Sequence, residues 1–225
     1  MKRSSVNREI SEAIRVFEEH RFRLPPFAFF TPRDWTRAGH EYDPVRRCML
    51  GWDMTDFGSG DFSRTGLLLF TLRNGRPGSE EDPRPYAEKV MLVKPGQTTP
   101  FHFHWYKMED IINRGGGTLK MRFFNSDERE EMRDTPVRLL SDGRTLTLAA
   151  GEVLTLRPGE SVTVPRRVYH EFRGGEKDTV VGEVSMVNDD NTDNRFYAPC
   201  GRFPPIEEDE EARYLLCGEY PPAAE

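Results

Sequence analysis

The sequence predicts an all-β protein built as a small barrel or sandwich, and three observations predict it. Short runs of alternating apolar and polar residues recur along the middle of the chain, Thr118 to Asn125 (TLKMRFFN) being a clear case. They are separated by dipeptides that reverse a chain: Asp142-Gly143, Gly151-Glu152, Pro158-Gly159 and Gly174-Gly175. Two histidines, His102 and His104, fall two apart on an expected strand between glycine breaks, so their side chains share one face.

Taken in order, Asn7 to His20 places Ile10, Ala13, Ile14 and Phe17 at three- and four-residue spacing, one face of an amphipathic helix that packs on the body. Leu24-Pro25-Pro26 ends it, because the residue before a proline is driven out of helical conformation. Phe27 to Phe30 is expected as a short strand or extended arm whose aromatics need burial, followed by a helical turn or loop from Pro32. Between Arg47 and Asn74, turns at Gly58, Gly60 and Gly66 make an irregular aromatic and acidic segment before a strand at Leu67 to Leu72, and Asn74-Gly75 is expected as a tight turn. Strands are then expected at Tyr86 to Lys94, around His102 and His104, and at Thr118 to Asn125, Arg138 to Leu140, Arg144 to Leu148, Val153 to Leu156, Ser161 to Val164, Tyr169 to Arg173 and Val180 to Val187. The run Glu207 to Glu211 suits a solvated face or a helix start, and Ala212, Leu215 and Leu216 offer an apolar face for a helical tail. One domain is expected: a helix and arm over 1–45, a barrel over 46–187, and a tail over 188–225 that covers it.

Composition removes several functions. A net charge of -6 without a Lys/Arg-rich block leaves no basic face for nucleic acid. No apolar run is long enough to span a bilayer, and the N-terminus lacks the apolar core of a signal peptide, so a cytoplasmic protein is expected. The three cysteines are widely spaced and form no CxxC pair, which suits reduced, buried or half-buried thiols.

Chemistry concentrates between Gly96 and Gly116. His102, His104 and Glu109 are metal-ligand types on or just after one strand, and a lone histidine such as His20 or His40 carries no such pattern. Their spacing matches the first cupin motif, G(X)5HXH(X)4E(X)6G, from Gly96 to Gly116. Gly159, Pro165 and His170 match the second, with Arg167 where glycine is usual and Gly174 where asparagine is usual. The resemblance implies a cupin barrel with His102, His104, Glu109 and His170 as metal ligands. Three imidazoles and one carboxylate suit a divalent Mn, Fe, Co, Ni or Zn ion that polarises a carbonyl. Lys107 sits two residues before Glu109, and Glu183 is an acid within an apolar strand, costly to bury unless it meets a partner or a polar cavity.

The blocks GWDMTDFGSGDF, GLLLFTLRNG, KPGQTTPFHFHWYKMEDIINRGGG, VPRRVYHEF and GEVSMVNDDNTDN together resemble the D-lyxose isomerase family over nearly the whole chain. The resemblance implies a Mn-dependent homodimer converting D-lyxose to D-xylulose, with D-mannose to D-fructose as a second activity. On that reading Lys107 is the electrophilic or proton-relaying group, the base is Glu183 or an acid such as Glu207 folded over the cavity mouth, and Asp190, Asp193, Arg195 and Trp52 are candidates to hold the sugar. Trp52 is equally suited to the core, and Asp53 and Asp56 to turns. The helix and the Phe27 to Phe30 arm are the apolar pieces expected to cross between subunits. A cupin dioxygenase and a non-catalytic sugar-binding cupin with a structural metal are the other readings.

Overall fold

The computed structural model describes residues 1–225. Helix α1 spans Arg3–Glu19 and is followed by a 3-10 turn at Pro26–Phe29 and short helices α2 (Pro32–Trp35) and α3 (Asp43–Arg47). The strands are β1 (Gly51–Thr55), β2 (Leu67–Arg73), β3 (Tyr86–Val93), β4 (Thr98–Phe103), β5 (Glu109–Gly116), β6 (Leu119–Ser126) and β7 (Met132–Arg133). They continue as β8 (Val137–Ser141), β9 (Arg144–Leu148), β10 (Leu154–Leu156), β11 (Ser161–Val164), β12 (Val168–Gly174), β13 (Thr179–Met186) and β14 (Arg195–Phe196). One sheet runs β1-β2-β3-β13-β5-β11-β8-β9 and the other β10-β6-β12-β4-β14, the cupin arrangement that the motifs imply.

Period-2 alternation decides which residues fill the space between the sheets. Leu69, Met91, Ile111, Met121, Phe123, Val162, Phe172 and Val181 form the inner core. The outer face of β1, β2 and β3 carries a second apolar row, covered by Val6, Ile10, Ala13 and Phe17 of α1. Trp52 belongs to this second core: its ring stacks on Phe17, meets Phe70 edge-on, and its indole N–H donates to the Ala28 carbonyl. It is therefore a packing residue and not part of a sugar site.

Other expectations are corrected. Phe27 to Phe30 is a 3-10 turn rather than a strand or arm, because Phe27 turns inward against Phe70. The tail forms no helix. Its acids are spent on the start of α1, where unpaired backbone N–H groups favour negative charge. Glu208 and Glu219 clamp Arg3, Asp209 accepts from the Ser4 N–H, and Glu210 accepts from Asn7. Asn74-Gly75 makes no tight turn. Gly75 passes so close to the Arg84 carbonyl that a Cβ would lie 1.9 Å from it, while the Asn74 side chain bonds the backbone of Asn188, and the chain loops on to β3.

Both departures from the second motif have a physical account. Arg167 adopts φ 60, the left-handed conformation that glycine takes without strain; its N–H donates to the His104 carbonyl and its guanidinium covers the Phe103 ring. Gly174 has no room for a side chain, since a Cβ would stand 2.0 Å from the Lys94 carbonyl. With Trp52 assigned to the core, Trp52→Ala is expected to cost about 3–5 kcal/mol in urea denaturation; a loss below about 1 kcal/mol would contradict this.

Candidate metal centre

The register of β4 against β12 sets His102 directly opposite His170, so one sheet supplies two imidazoles. β5 on the other sheet begins at Glu109, and the link between β4 and β5 carries His104 and Lys107. Ligand atoms of His102, His104, Glu109 and His170 all lie within 4.8 Å of one another, and all four residues are buried.

Each imidazole is oriented from behind. His102 Nδ1 donates to the Pro100 carbonyl at 2.8 Å, His104 Nδ1 to the Asp193 carbonyl at 2.6 Å, and His170 Nδ1 to the Val168 carbonyl at 3.1 Å. A carbonyl only accepts, so each Nδ1 carries the proton and each Nε2 keeps its lone pair, the tautomer a metal needs. Burial, reinforced by neighbouring His170 and His104, pushes His102 well below the ordinary imidazole range; burial and Lys107 push His104 the same way. Nε2 of His170 stands 2.8 Å from Glu109 Oε1 and that of His104 3.5 Å from Oε2, acceptor facing acceptor with no proton between them and no hydrogen bond made. Such orphaned acceptors beside a carboxylate fit a divalent cation.

An ion network continues from Glu109. Lys107 Nζ stands 2.7 Å from Glu109 Oε2, 2.9 Å from Glu183 Oε1 and 3.2 Å from Asn188 Oδ1. Lys89 Nζ lies 3.3 Å from the same Glu183 oxygen and donates to Asn188 at 2.7 Å. Burial opposes ionisation of Lys107, Glu109 and Glu183, but mutual attraction prevails. Lys107 is raised above the ordinary lysine range, and Glu109 and Glu183 are held below the carboxylate range, chiefly by Lys107.

The cavity beside this network is lined by His102, His104, Lys107, Glu109 and Glu183 together with Lys89, Asp190, Asn194, Phe196 and Arg202. Of the expected sugar-holding residues, Asp190 is there. Asp193 acts from behind: its carboxylate accepts the N–H groups of Tyr106 and Lys107 at 2.9 Å each, fixing the link that carries His104 and Lys107. Arg195 pairs with Glu130 outside the cavity wall. Glu207 pairs through its backbone with Met1 and Arg3, far from the cavity mouth it was expected to cover, because the acidic run is held at α1.

Sequence reasoning missed Lys89, Asn188 and Arg202. Lys89 was legible: it stands in the inward row Ala87, Lys89, Met91, Val93, where an uncompensated cation is expensive. Asn188 and Arg202 lie in irregular chain with no periodicity to expose them.

Comparison with known proteins places this geometry. The model of the D-lyxose isomerase family matches residues 1–220. The chain is 48% identical over 223 residues to a D-lyxose/D-mannose isomerase of Serratia proteamaculans and 45% identical over 223 residues to one of Escherichia coli O157:H7, covering 98% of each relative and 98% of itself. In fold it is similar to the L-ribose isomerase of Cellulomonas parahominis, with a TM-score of 0.60 at 18% identity over 92% of this chain and 98% of that one.

Two outcomes are expected. Protein stripped by a chelator should melt at a lower temperature than protein supplied with a divalent transition ion, and His170→Ala should erase the difference. Burial raises the Asp190 carboxyl, but Lys89 and Arg202 outweigh it and hold the group below its ordinary value. A depressed carboxyl stabilises the fold above its unfolded pKa of about 3.9, and that contribution is lost as pH falls through the folded value. The melting temperature of the native protein should therefore drop more steeply below about pH 4 than that of Asp190→Asn.

Proposed function

The chain belongs to the D-lyxose isomerase family, and from that premise we propose that it interconverts an aldose and its ketose, D-lyxose with D-xylulose and D-mannose with D-fructose. The observation that carries the reading is Lys107 Nζ held between Glu109 and Glu183 inside the cavity, a proton donor and a carboxylate beside the ligand cluster.

His102, His104, Glu109 and His170 would hold a divalent ion, Mn2+ in first place with Fe2+, Co2+, Ni2+ and Zn2+ as competitors. Such an ion supplies a positive charge that polarises the carbonyl and acidifies the adjacent C–H. The protein's own groups then move the protons. Glu183 takes the proton from C2 of the open-chain aldose while Lys107 gives one to O1, producing a cis-enediol. Lys107 recovers a proton from O2 and Glu183 returns its proton to C1, which yields the ketose and restores both side chains. Asn188, bonded to both lysines, keeps their ammonium groups aimed at the same point. Asp190 and Asn194 face the cavity and suit the sugar's hydroxyls. We place the enzyme in the cytoplasm, as a homodimer acting on free sugar; a net charge of -6 and three cysteines that form no disulfide support that setting.

Lys107→Met and Glu183→Gln are expected to keep the metal-induced rise in melting temperature yet lower kcat by about 10²–10⁴-fold. Glu207→Gln should turn over like the native enzyme. Native kcat in Lys107→Met, or a collapse in Glu207→Gln, would contradict the assignment.

A further inference from the structure

Buried polar atoms without a partner gather at the cavity. Besides Nε2 of His104 and His170 they include Thr99 Oγ1 and Arg202 Nη1, and both Thr99 and Arg202 line the cavity wall. Groups of this kind are costly to leave unpaired, so their concentration at one place points to absent partners there. The two histidine nitrogens are accounted for by a metal. A hydroxyl oxygen and a guanidinium arm call for a neutral polyhydroxy partner.

Arg202 is built for such a contact. Its side chain is 10% exposed, and its Nη2 is already committed to Asp53 and, at 3.3 Å, to Asp190. Both carboxylates meet the same nitrogen, Nη2, which anchors that arm of the guanidinium and leaves Nη1 free to donate. Asp190, Asn194, Phe196 and Arg202 reach the cavity from the chain after β13, which the barrel holds through the β14 pairing, the Tyr197 and Gly201 N–H groups, the Asp193 bonds to the β4–β5 link and the Arg202–Asp53 pair. Arg202 is thus fixed at the cavity wall rather than free to turn away from it.

Resting on the isomerase reading, we propose that Arg202 donates its spare Nη1–H to a hydroxyl on the tail of the open-chain sugar, at C4 or C5, with Thr99 Oγ1 meeting a second hydroxyl. The pair sets how tightly that tail is held and takes no part in moving protons between C1 and C2.

Steady-state kinetics of the metal-loaded enzyme with D-lyxose, 4-deoxy-D-lyxose and 5-deoxy-D-lyxose test this. Arg202→Lys preserves the charge that Asp53 and Asp190 require, and Thr99→Val is close to isosteric, so both should fold; melting temperatures check it. Arg202→Lys is expected to raise KM for D-lyxose about 10- to 100-fold with kcat within about threefold. One deoxy sugar should cost the native enzyme a similar factor and cost Arg202→Lys no more. Unchanged KM in Arg202→Lys, or additive losses with both deoxy sugars, would overturn the assignment while leaving the isomerase reading intact. A lowered melting temperature with native KM would mark Arg202 as structural and overturn it equally. Absence of turnover of D-lyxose and D-mannose by the native enzyme would overturn both.

Discussion

Two ammonium groups and two carboxylates share the interior of the barrel, and the site depends on their balance. Lys107 and Lys89 sit beside Glu183, and Lys107 also meets Glu109, all of them nearly inaccessible to water. Separately, each charge would cost several kcal/mol to bury. Together they keep both carboxylates ionised, as the proposed roles of Glu109 in holding an ion and Glu183 in accepting a proton require, and they keep an ammonium next to both. Removing one partner leaves the others unpaired, so the network specifies its geometry as well as tolerating burial. Glu109 belongs to both groups: with His102, His104 and His170 it would hold a divalent ion, which would supply positive charge there, and it pairs with Lys107 Nζ at 2.7 Å.

The fold's contribution is to bring these groups to one point from separate elements. β4 and β12 face His102 toward His170, β5 brings Glu109 from the opposite sheet, and β3 and β13 bring Lys89 and Glu183 across a shared ladder as direct register partners. The link carrying His104 and Lys107 has no strand to hold it, and Asp193 does that work with three hydrogen bonds. Asn74 fastens the neighbouring chain at Asn188 in the same manner. Three residues that touch no substrate in the proposed reaction, Asp193, Asn74 and Asn188, therefore determine where the reacting groups stand.

The barrel strands and the convergence of His102, His104, Glu109 and His170 were legible because period-2 alternation and motif spacing are local properties of the chain. Arg144–Leu148 and Ser161–Val164 fall where the pattern puts them. β1 was missed although Trp52 and Met54 alternate with Gly51, Asp53 and Thr55, because the strand is short and sits beside the Gly58 and Gly60 turns, which made the whole segment read as irregular. β5 was not expected as a strand of its own: the chain from His102 read as one strand ending at a turn of Gly115, Gly116 and Gly117, whereas β5 begins at Glu109 and includes Gly115 and Gly116, where Gly116 passes the Asp178 carbonyl too closely for any side chain. The tail misled for a different reason. Its acids have helix-start composition, but they complete the N-terminus of α1 some two hundred residues earlier in the sequence, a long-range partnership no local pattern encodes. Arg202 was invisible for the same cause: its main partner, Asp53, lies 149 residues away in the chain.

The account stands or falls on whether protein groups carry the hydrogen between C1 and C2. Metal-loaded enzyme incubated with D-lyxose in deuterated water, followed by NMR, measures this directly. D-xylulose bearing solvent deuterium at C1 is the expected result, since a proton held on Glu183 at the cavity exchanges with solvent. D-xylulose that stays unlabelled through repeated turnover would contradict a solvent-exchanging proton on Glu183 and leave direct transfer from C2 to C1 or a proton shielded from solvent.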